Sequence, residues 1–263
     1  MNRQIDTASA PVMPTRERAL LLAGLVAIAA IAWTYLVREH RGMESMIAAA
    51  STMEMQPRDM GDLVLLFVMW LVMMVAMMVP SATPAVLVYA AVARRLAPSR
   101  VGAVWTAAFI AGYAIAWCTF GLVAALMQVW LERAALVSPM MMSTSPIFGG
   151  VLIAGAGLYQ LSPAKDICLR YCREPLHFVA THWRPGGWGA LHMGLRHGAY
   201  CMGCCWALMG LLFVVGVMNL LWVAAIAIFI LLEKIAFVGT RAGRIVSGSC
   251  LIALGAVVFV AGV

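Results

Sequence analysis

The chain has 263 residues, of which 64% are hydrophobic and only 11% are charged. A soluble domain carries about 25% charged residues, so this composition excludes a soluble globular protein and predicts an all-α, polytopic membrane protein. The formal net charge is +7. Because the basic residues lie between apolar segments and form no run interleaved with aromatic residues, nucleic-acid binding is also excluded.

Seven apolar segments approach the length of about 17–25 residues that a membrane-spanning helix needs. In chain order they are residues 19–37, 62–80, 103–128, 146–162, 198–217, 219–238 and 245–263. Residues 1–18 are a polar tail without the features of a cleavable signal peptide. Residues 19–263 are therefore expected to form one helical membrane domain in the lipid bilayer.

The positions of lysine and arginine predict the orientation of these spans. With seven spans, 14 of the 18 basic residues fall on the side of the N-terminus, which is the bias expected of cytoplasmic segments. The N-terminus and a Cys/His-containing loop at about 163–197 are therefore predicted inside, and the C-terminus outside. The fourth segment is short, and a re-entrant segment there would invert everything after it.

The second segment contains the sequence "MWLVMMVAMM", with five methionines on two neighbouring faces of a helix. They are Met69, Met73, Met74, Met77 and Met78. The helix is expected to continue past Pro80 to about residue 93, with a bend at the proline. Adaptable packing is one interpretation of such a face, and binding of soft Cu(I) by thioether sulfur is the other.

Further methionines lie in the two predicted external segments, where they gain nothing from packing. They are Met43, Met46, Met53, Met55, Met60, Met140, Met141 and Met142. Their placement favours the interpretation that the methionines handle a metal.

The fifth segment begins with "HGAYCMGCCWALM", in which four residues with metal-binding side chains follow each other at i, i+4 spacing. They are His197, Cys201, Cys205 and Met209, with Cys204 beside them. Metal binding is one interpretation. Thiol–disulfide exchange is a second, because C-x-x-C is also a redox spacing. Packing of small residues near the membrane interface is the third.

A short helix is predicted within "LSPAKDICLRYCREP", because Ser162–Pro163 is a helix-start signal and Pro175 a stop signal. It places Cys168 and Cys172 one turn apart among basic residues that favour the thiolate. A stable disulfide is unusual in a reducing compartment, so metal binding or transient redox use is preferred.

Glu233 and Lys234 interrupt the sixth segment near its predicted inner end. Charges inside a membrane are costly and often functional. The alternative is that Lys234 extends to the interface and that Glu233 neutralises a nearby arginine.

The blocks "MWLVMMVAMMVPS", "CLRYCREPL" and "HGAYCMGCCW" resemble the signatures of a bacterial family of uncharacterised, predicted metal-binding integral membrane proteins, a domain-of-unknown-function family. The resemblance covers about residues 60–240. It implies a helical protein of the bacterial inner membrane and supplies no mechanism.

Together these patterns predict a non-enzymatic, copper-handling membrane protein that transports Cu(I) or delivers it to a copper-dependent membrane enzyme or its chaperone. The chain contains no ATP-binding loop and no phosphorylatable aspartate motif, so ATP is not expected to drive it directly. A membrane thiol–disulfide redox protein is one alternative. A non-catalytic structural subunit of a membrane assembly is the other.

Overall fold

The computed structural model describes residues 14–49, 60–137, 145–217, 219–236 and 239–261. Within these ranges the regular elements are ten α-helices. They are α1 Thr15–Ala49, α2 Met60–Leu96, α3 Ser99–Arg133, α4 Pro146–Leu161, α5 Pro163–Arg173, α6 Pro175–His182, α7 Gly186–Gly210, α8 Leu212–Val215, α9 Leu220–Ile235 and α10 Arg241–Ala261. The side chains of the methionines predicted in the two external segments lie outside the described part of the chain.

Five of the described helical stretches are long and apolar enough to cross a membrane. They are Thr15–Gly42, Gly61–Leu96, Arg100–Arg133, Gly186–Val215 and Arg241–Ala261. Helices α4 and α5 form a pair bent by 66° that could count as a sixth, whereas α9 has only 16 residues. The all-helical membrane architecture is therefore confirmed with five or six spans, and seven spans with their orientation stay a prediction.

Two local expectations about helix bounds are confirmed, and one is corrected. Helix α2 continues through Pro80 to Leu96, and α5 begins after Ser162, whose side chain accepts a hydrogen bond from the Lys165 backbone N–H at 3.2 Å. The fifth predicted segment was expected to begin at about residue 198, whereas α7 already begins at Gly186. Four glycines, a histidine and an arginine in its first three turns hide this extension from a hydropathy criterion.

Glycines let two pairs of helices approach closely, as is common where helices pack in lipid. On the α4–α10 contact, a Cβ at Gly157 would lie 2.7 Å from the carbonyl oxygen of Gly248. On the α3–α7 contact, a Cβ at Gly194 would lie 1.9 Å from the carbonyl oxygen of Phe109. The glycine-containing face of α4 is thus the surface on which α10 packs.

Helix α2 lies at the centre of the main core, which also receives side chains from α1, α3, α7 and α9. Trp70 of α2 is fully buried and donates its indole N–H to Gln128 of α3, with 2.8 Å between nitrogen and oxygen. This contact fixes the rotation of α2, and with it the direction in which the methionine face points.

Candidate metal centre

The methionine face of α2 points into the protein and away from lipid. Its five side chains are at most 8% exposed, and the four from Met73 to Met78 at most 2%. The opposite face of the helix carries exposed valines such as Val68 and Val75. The thioethers therefore lie where they can contact other side chains.

The cysteines of α7 belong to the same core as these methionines. Cys201, Cys204, Cys205 and Met209 are at most 1% exposed, and Cys168 and Cys172 of α5 pack half-buried against them. The structure thus brings the predicted sulfur residues of α2, α5 and α7 into one buried core. We call the methionines of α2, the cysteines of α5 and α7, and Met209 together the sulfur core. Their role as metal ligands stays a prediction.

Two thiols from different helices lie close together in the sulfur core. The Sγ atoms of Cys172 and Cys204 are 3.9 Å apart, far beyond the S–S length of about 2.05 Å in a disulfide, and all seven cysteines are free. Metal–thiolate bonds are about 2.3 Å long for zinc, so at a similar bond length one ion could bind both sulfurs. The Sγ atoms of Cys204 and Cys205 each lie 3.0 Å from the Cys201 carbonyl oxygen, to which they donate.

The described residues contain no group of three His, Cys, Asp or Glu side chains that could hold a metal ion. This excludes, within that part of the chain, the preformed Cys/His arrangement of a structural zinc site. Thiols and thioethers that pack in the same core remain, and these are the soft ligands that select Cu(I).

His197 is buried in α7, one helical turn before Cys201, within a group of aromatic rings. Its ring lies among the rings of Phe109, Tyr113 and Phe178, with centroid distances of 5.9, 6.0 and 5.0 Å. Its Nδ1 atom has no hydrogen-bond partner among the described residues. Tyr113 connects this aromatic group to the sulfur core, because its hydroxyl lies 3.2 Å from the Sγ atom of Cys201.

Lys234 joins the sulfur core in a way that the sequence did not indicate. It is only 6% exposed, and its Nζ atom lies 3.1 Å from the Sγ atom of Cys201 and 2.9 Å from the Oγ atom of Ser81. Ser81 in turn donates to the Met78 carbonyl oxygen at 3.0 Å and lies 3.9 Å from the Met78 sulfur. The expectation that Lys234 extends to the membrane interface is therefore wrong.

Ser81 itself could have been found from the sequence. A hydroxyl three residues after Met78 lies on the same helical face as the last methionine, so it marks the point where the thioether face meets a polar group. Nothing in the local sequence indicated that a lysine of α9 would reach it.

Glu233 points away from the sulfur core and forms a buried ion pair. Its carboxylate lies 2.8 Å from the Nζ atom of Lys165, and these two side chains are 2% and 0% exposed. The amide of Gln160 also donates to this carboxylate, and to Ser247 at 3.0 Å. The expected partner of Glu233 was an arginine, and the structure shows a lysine of α5 instead.

Comparison with curated proteins and with solved structures finds no match. A family model named PpoB2 and described as a copper chaperone matches residues 67–258. The match spans most of the chain, including the methionine face of α2, the cysteines of α5 and α7, and Lys234. The chain therefore belongs to the PpoB2 family of copper chaperones.

Proposed function

We propose that this protein binds Cu(I) in the sulfur core and delivers it to a copper-dependent membrane enzyme or to the chaperone of that enzyme. One observation carries the proposal: the thioethers of α2 and the thiols of α5 and α7 lie in one buried cluster. These ligand types together prefer Cu(I) to harder ions, and the description of the family names copper.

The methionine face supplies a route through the apolar layer. With a rise of about 1.5 Å per residue, the distance along the helix from Met69 to Met78 is about 13 Å, close to half of a hydrocarbon core that is about 30 Å thick. Thioethers are neutral, so they bind a monovalent ion without burying additional charge. The route ends at Met78, which lies next to Ser81 and, through Lys234, next to Cys201.

Cys172 and Cys204 are the pair that we assign to holding the ion. Thiolates bind Cu(I) more tightly than thioethers do, so an ion that moves along the methionine face is retained at the pair. With the predicted orientation, the pair lies toward the cytoplasmic side of the bacterial inner membrane. A partner would then collect copper there, which is a delivery role and needs no catalytic residue.

A thiol–disulfide function is the second candidate, and the same distance of 3.9 Å favours it. The two sulfurs would have to approach by about 1.9 Å to reach the length of a disulfide. In that function the methionines serve only as packing, and their replacement by leucine should leave the redox chemistry unchanged.

Elemental analysis of the detergent-purified protein, loaded with Cu(I) under reductant and without oxygen, tests the proposal. We expect stoichiometric copper in the wild type and its loss in Cys172→Ser/Cys204→Ser. The control is Cys118→Ser/Cys250→Ser, which changes two exposed cysteines and should retain copper. Equal copper content in both double variants would contradict the assignment.

The methionine face is tested in the same assay by changing Met73, Met74, Met77 and Met78 together to leucine. Volume-conserving swaps of this kind cost less than about 1.5 kcal/mol each, so the fold should persist while Cu(I) binding weakens. Met193→Leu is the control, since Met193 is equally buried but packs in a different core. A wild type that binds no copper and forms a Cys172–Cys204 disulfide when a thiol oxidant is added, with two electrons passing to that oxidant, would support the redox function instead.

A further inference from the structure

The buried ammonium group of Lys234 faces sulfur rather than a carboxylate. Glu233, its neighbour in sequence, is paired instead with Lys165 of α5. The contacts of Lys234 in the described residues are Cys201 Sγ at 3.1 Å and Ser81 Oγ at 2.9 Å. The amino group of Lys234 therefore lies at the edge of the sulfur core.

We propose that Lys234 makes the sulfur core selective for a monovalent metal ion by compensating the charge of its thiolates. The inference rests on the proposed function and assigns to it a selectivity residue. A protonated lysine has three donors and no lone pair, so Lys234 acts on the metal site through its charge and is a positioning residue.

The charges of the occupied site explain the selectivity. Two thiolates with one monovalent ion carry a net charge of −1, and the ammonium brings the total to zero. The same thiolates with a divalent ion and the ammonium would carry +1. Because uncompensated charge is costly in a low-dielectric interior, the neutral combination is favoured, and it is the one formed by Cu(I).

Ser81 holds this charge in place. Its hydroxyl donates to the Met78 carbonyl oxygen, which leaves its oxygen free to accept from the lysine. The ammonium is thereby fixed between α2 and α7, next to the end of the methionine route and within contact of Cys201. Without this hydrogen bond, the Lys234 side chain could move away from the sulfurs and leave the charge of the site uncompensated.

The test compares the affinities for Cu(I) and Zn(II) of purified wild-type protein, Lys234→Leu and Lys234→Arg, by competition with chromophoric chelators. Leucine removes the charge without adding a thioether ligand. We expect Lys234→Leu to weaken Cu(I) binding at least tenfold without weakening Zn(II) binding, so that the Cu(I)/Zn(II) preference falls at least tenfold. Lys234→Arg keeps the charge and should keep most of the preference. The readout is this ratio, which a merely structural role would not change.

Two further variants complete the test. Lys165→Met/Glu233→Gln removes an equally buried ammonium together with its counter-ion, so it leaves the net charge of the interior unchanged and should leave the ratio unchanged. Ser81→Ala keeps the lysine and the sulfur residues but removes the anchor. It should lower the Cu(I)/Zn(II) ratio in the same direction as Lys234→Leu, so the inference can still be tested if Lys234→Leu does not fold.

The outcomes separate this inference from the proposed function. A wild type that binds no Cu(I) overturns the proposed function, and the selectivity role with it. If the wild type binds Cu(I) and the ratio stays within twofold in Lys234→Leu or in Ser81→Ala, the selectivity role alone is overturned. Equal weakening of both metals in these variants also overturns it, because that result indicates a structural role.

Discussion

Removal of the Lys165 ammonium should strongly destabilise this protein. The group lies 2.8 Å from the Glu233 carboxylate, and neither side chain is more than 2% exposed. Lys165→Met leaves that carboxylate buried with only the Gln160 amide as a described partner. Breaking a buried pair in this way costs about 3–5 kcal/mol, and we expect a loss of this size in the free energy of unfolding.

The magnitude follows from two opposing contributions. At 2.8 Å and an effective dielectric constant of about 20, two unit charges attract each other by about 6 kcal/mol. Removing both charges from water costs several kcal/mol for each ion, so the intact pair contributes little net stability. Lys165→Met/Glu233→Gln removes both charges together and should therefore lose less than about 2 kcal/mol.

The free energy of unfolding can be measured by titrating the detergent-solubilised protein with a denaturing detergent and following circular dichroism. Arg170→Met is the control, because Arg170 pairs with Asp166 at 3.4 Å on the surface and is 64% exposed. An exposed pair of this kind contributes about 0–1 kcal/mol. The single variant Glu233→Gln completes the comparison. If Lys165→Met/Glu233→Gln loses as much stability as Lys165→Met and Glu233→Gln combined, the reasoning is refuted, because the two charges are then energetically independent.

Two other contacts give matched tests of packing. Gly157→Ala would place a Cβ 2.7 Å from the Gly248 carbonyl oxygen, whereas a Cβ at Gly155 on the same helix would meet nothing within 4 Å. Gly157→Ala should therefore lower the melting temperature and Gly155→Ala should not. Equal effects would contradict the close approach of α4 and α10. Gln128→Leu leaves the buried Trp70 indole N–H without its acceptor. It should lower the free energy of unfolding by about 1–3 kcal/mol, measured by the same detergent titration. Unchanged stability would show that this hydrogen bond does not hold α2 in place.

The faces of the helices were predictable because they depend on spacing along the chain. Residues three or four apart share a face, so the sequence could align Met73 with Met77 and Cys201 with Cys205. Both faces are indeed buried. The start of α5 at Pro163 was predictable for a similar local reason, since a serine followed by proline begins many helices.

The number and bounds of the spans were less predictable, because apolar length alone does not define a helix in the interior of a protein. Helix α7 begins at Gly186 although its first turns are rich in glycine and polar residues. Close packing of Gly194 against the backbone of Phe109 supports that part of the helix. At Ser162 the chain turns by 66°, which separates α4, the fourth predicted segment, from the short helix α5.

The position of Lys234 could not be deduced from α9 alone. Whether a lysine reaches toward water or remains buried depends on the partners that surround it, and its hydroxyl partner Ser81 is 153 residues away in the chain. A hydropathy pattern contains no information on such a contact. The same limit applies to Cys172 and Cys204, whose approach depends on how α5 packs against α7.

The adjacent residues Glu233 and Lys234 act in two different environments because successive side chains on an α-helix point about 100° apart. Glu233 ties α9 to α5, the helix that carries Cys172, whereas Lys234 ties α9 to the sulfur core. Loss of the ion pair can shift Cys172 and so change the binding of any metal, but it leaves the net charge unchanged. Loss of Lys234 changes the charge itself, and only this change should distinguish a monovalent from a divalent ion.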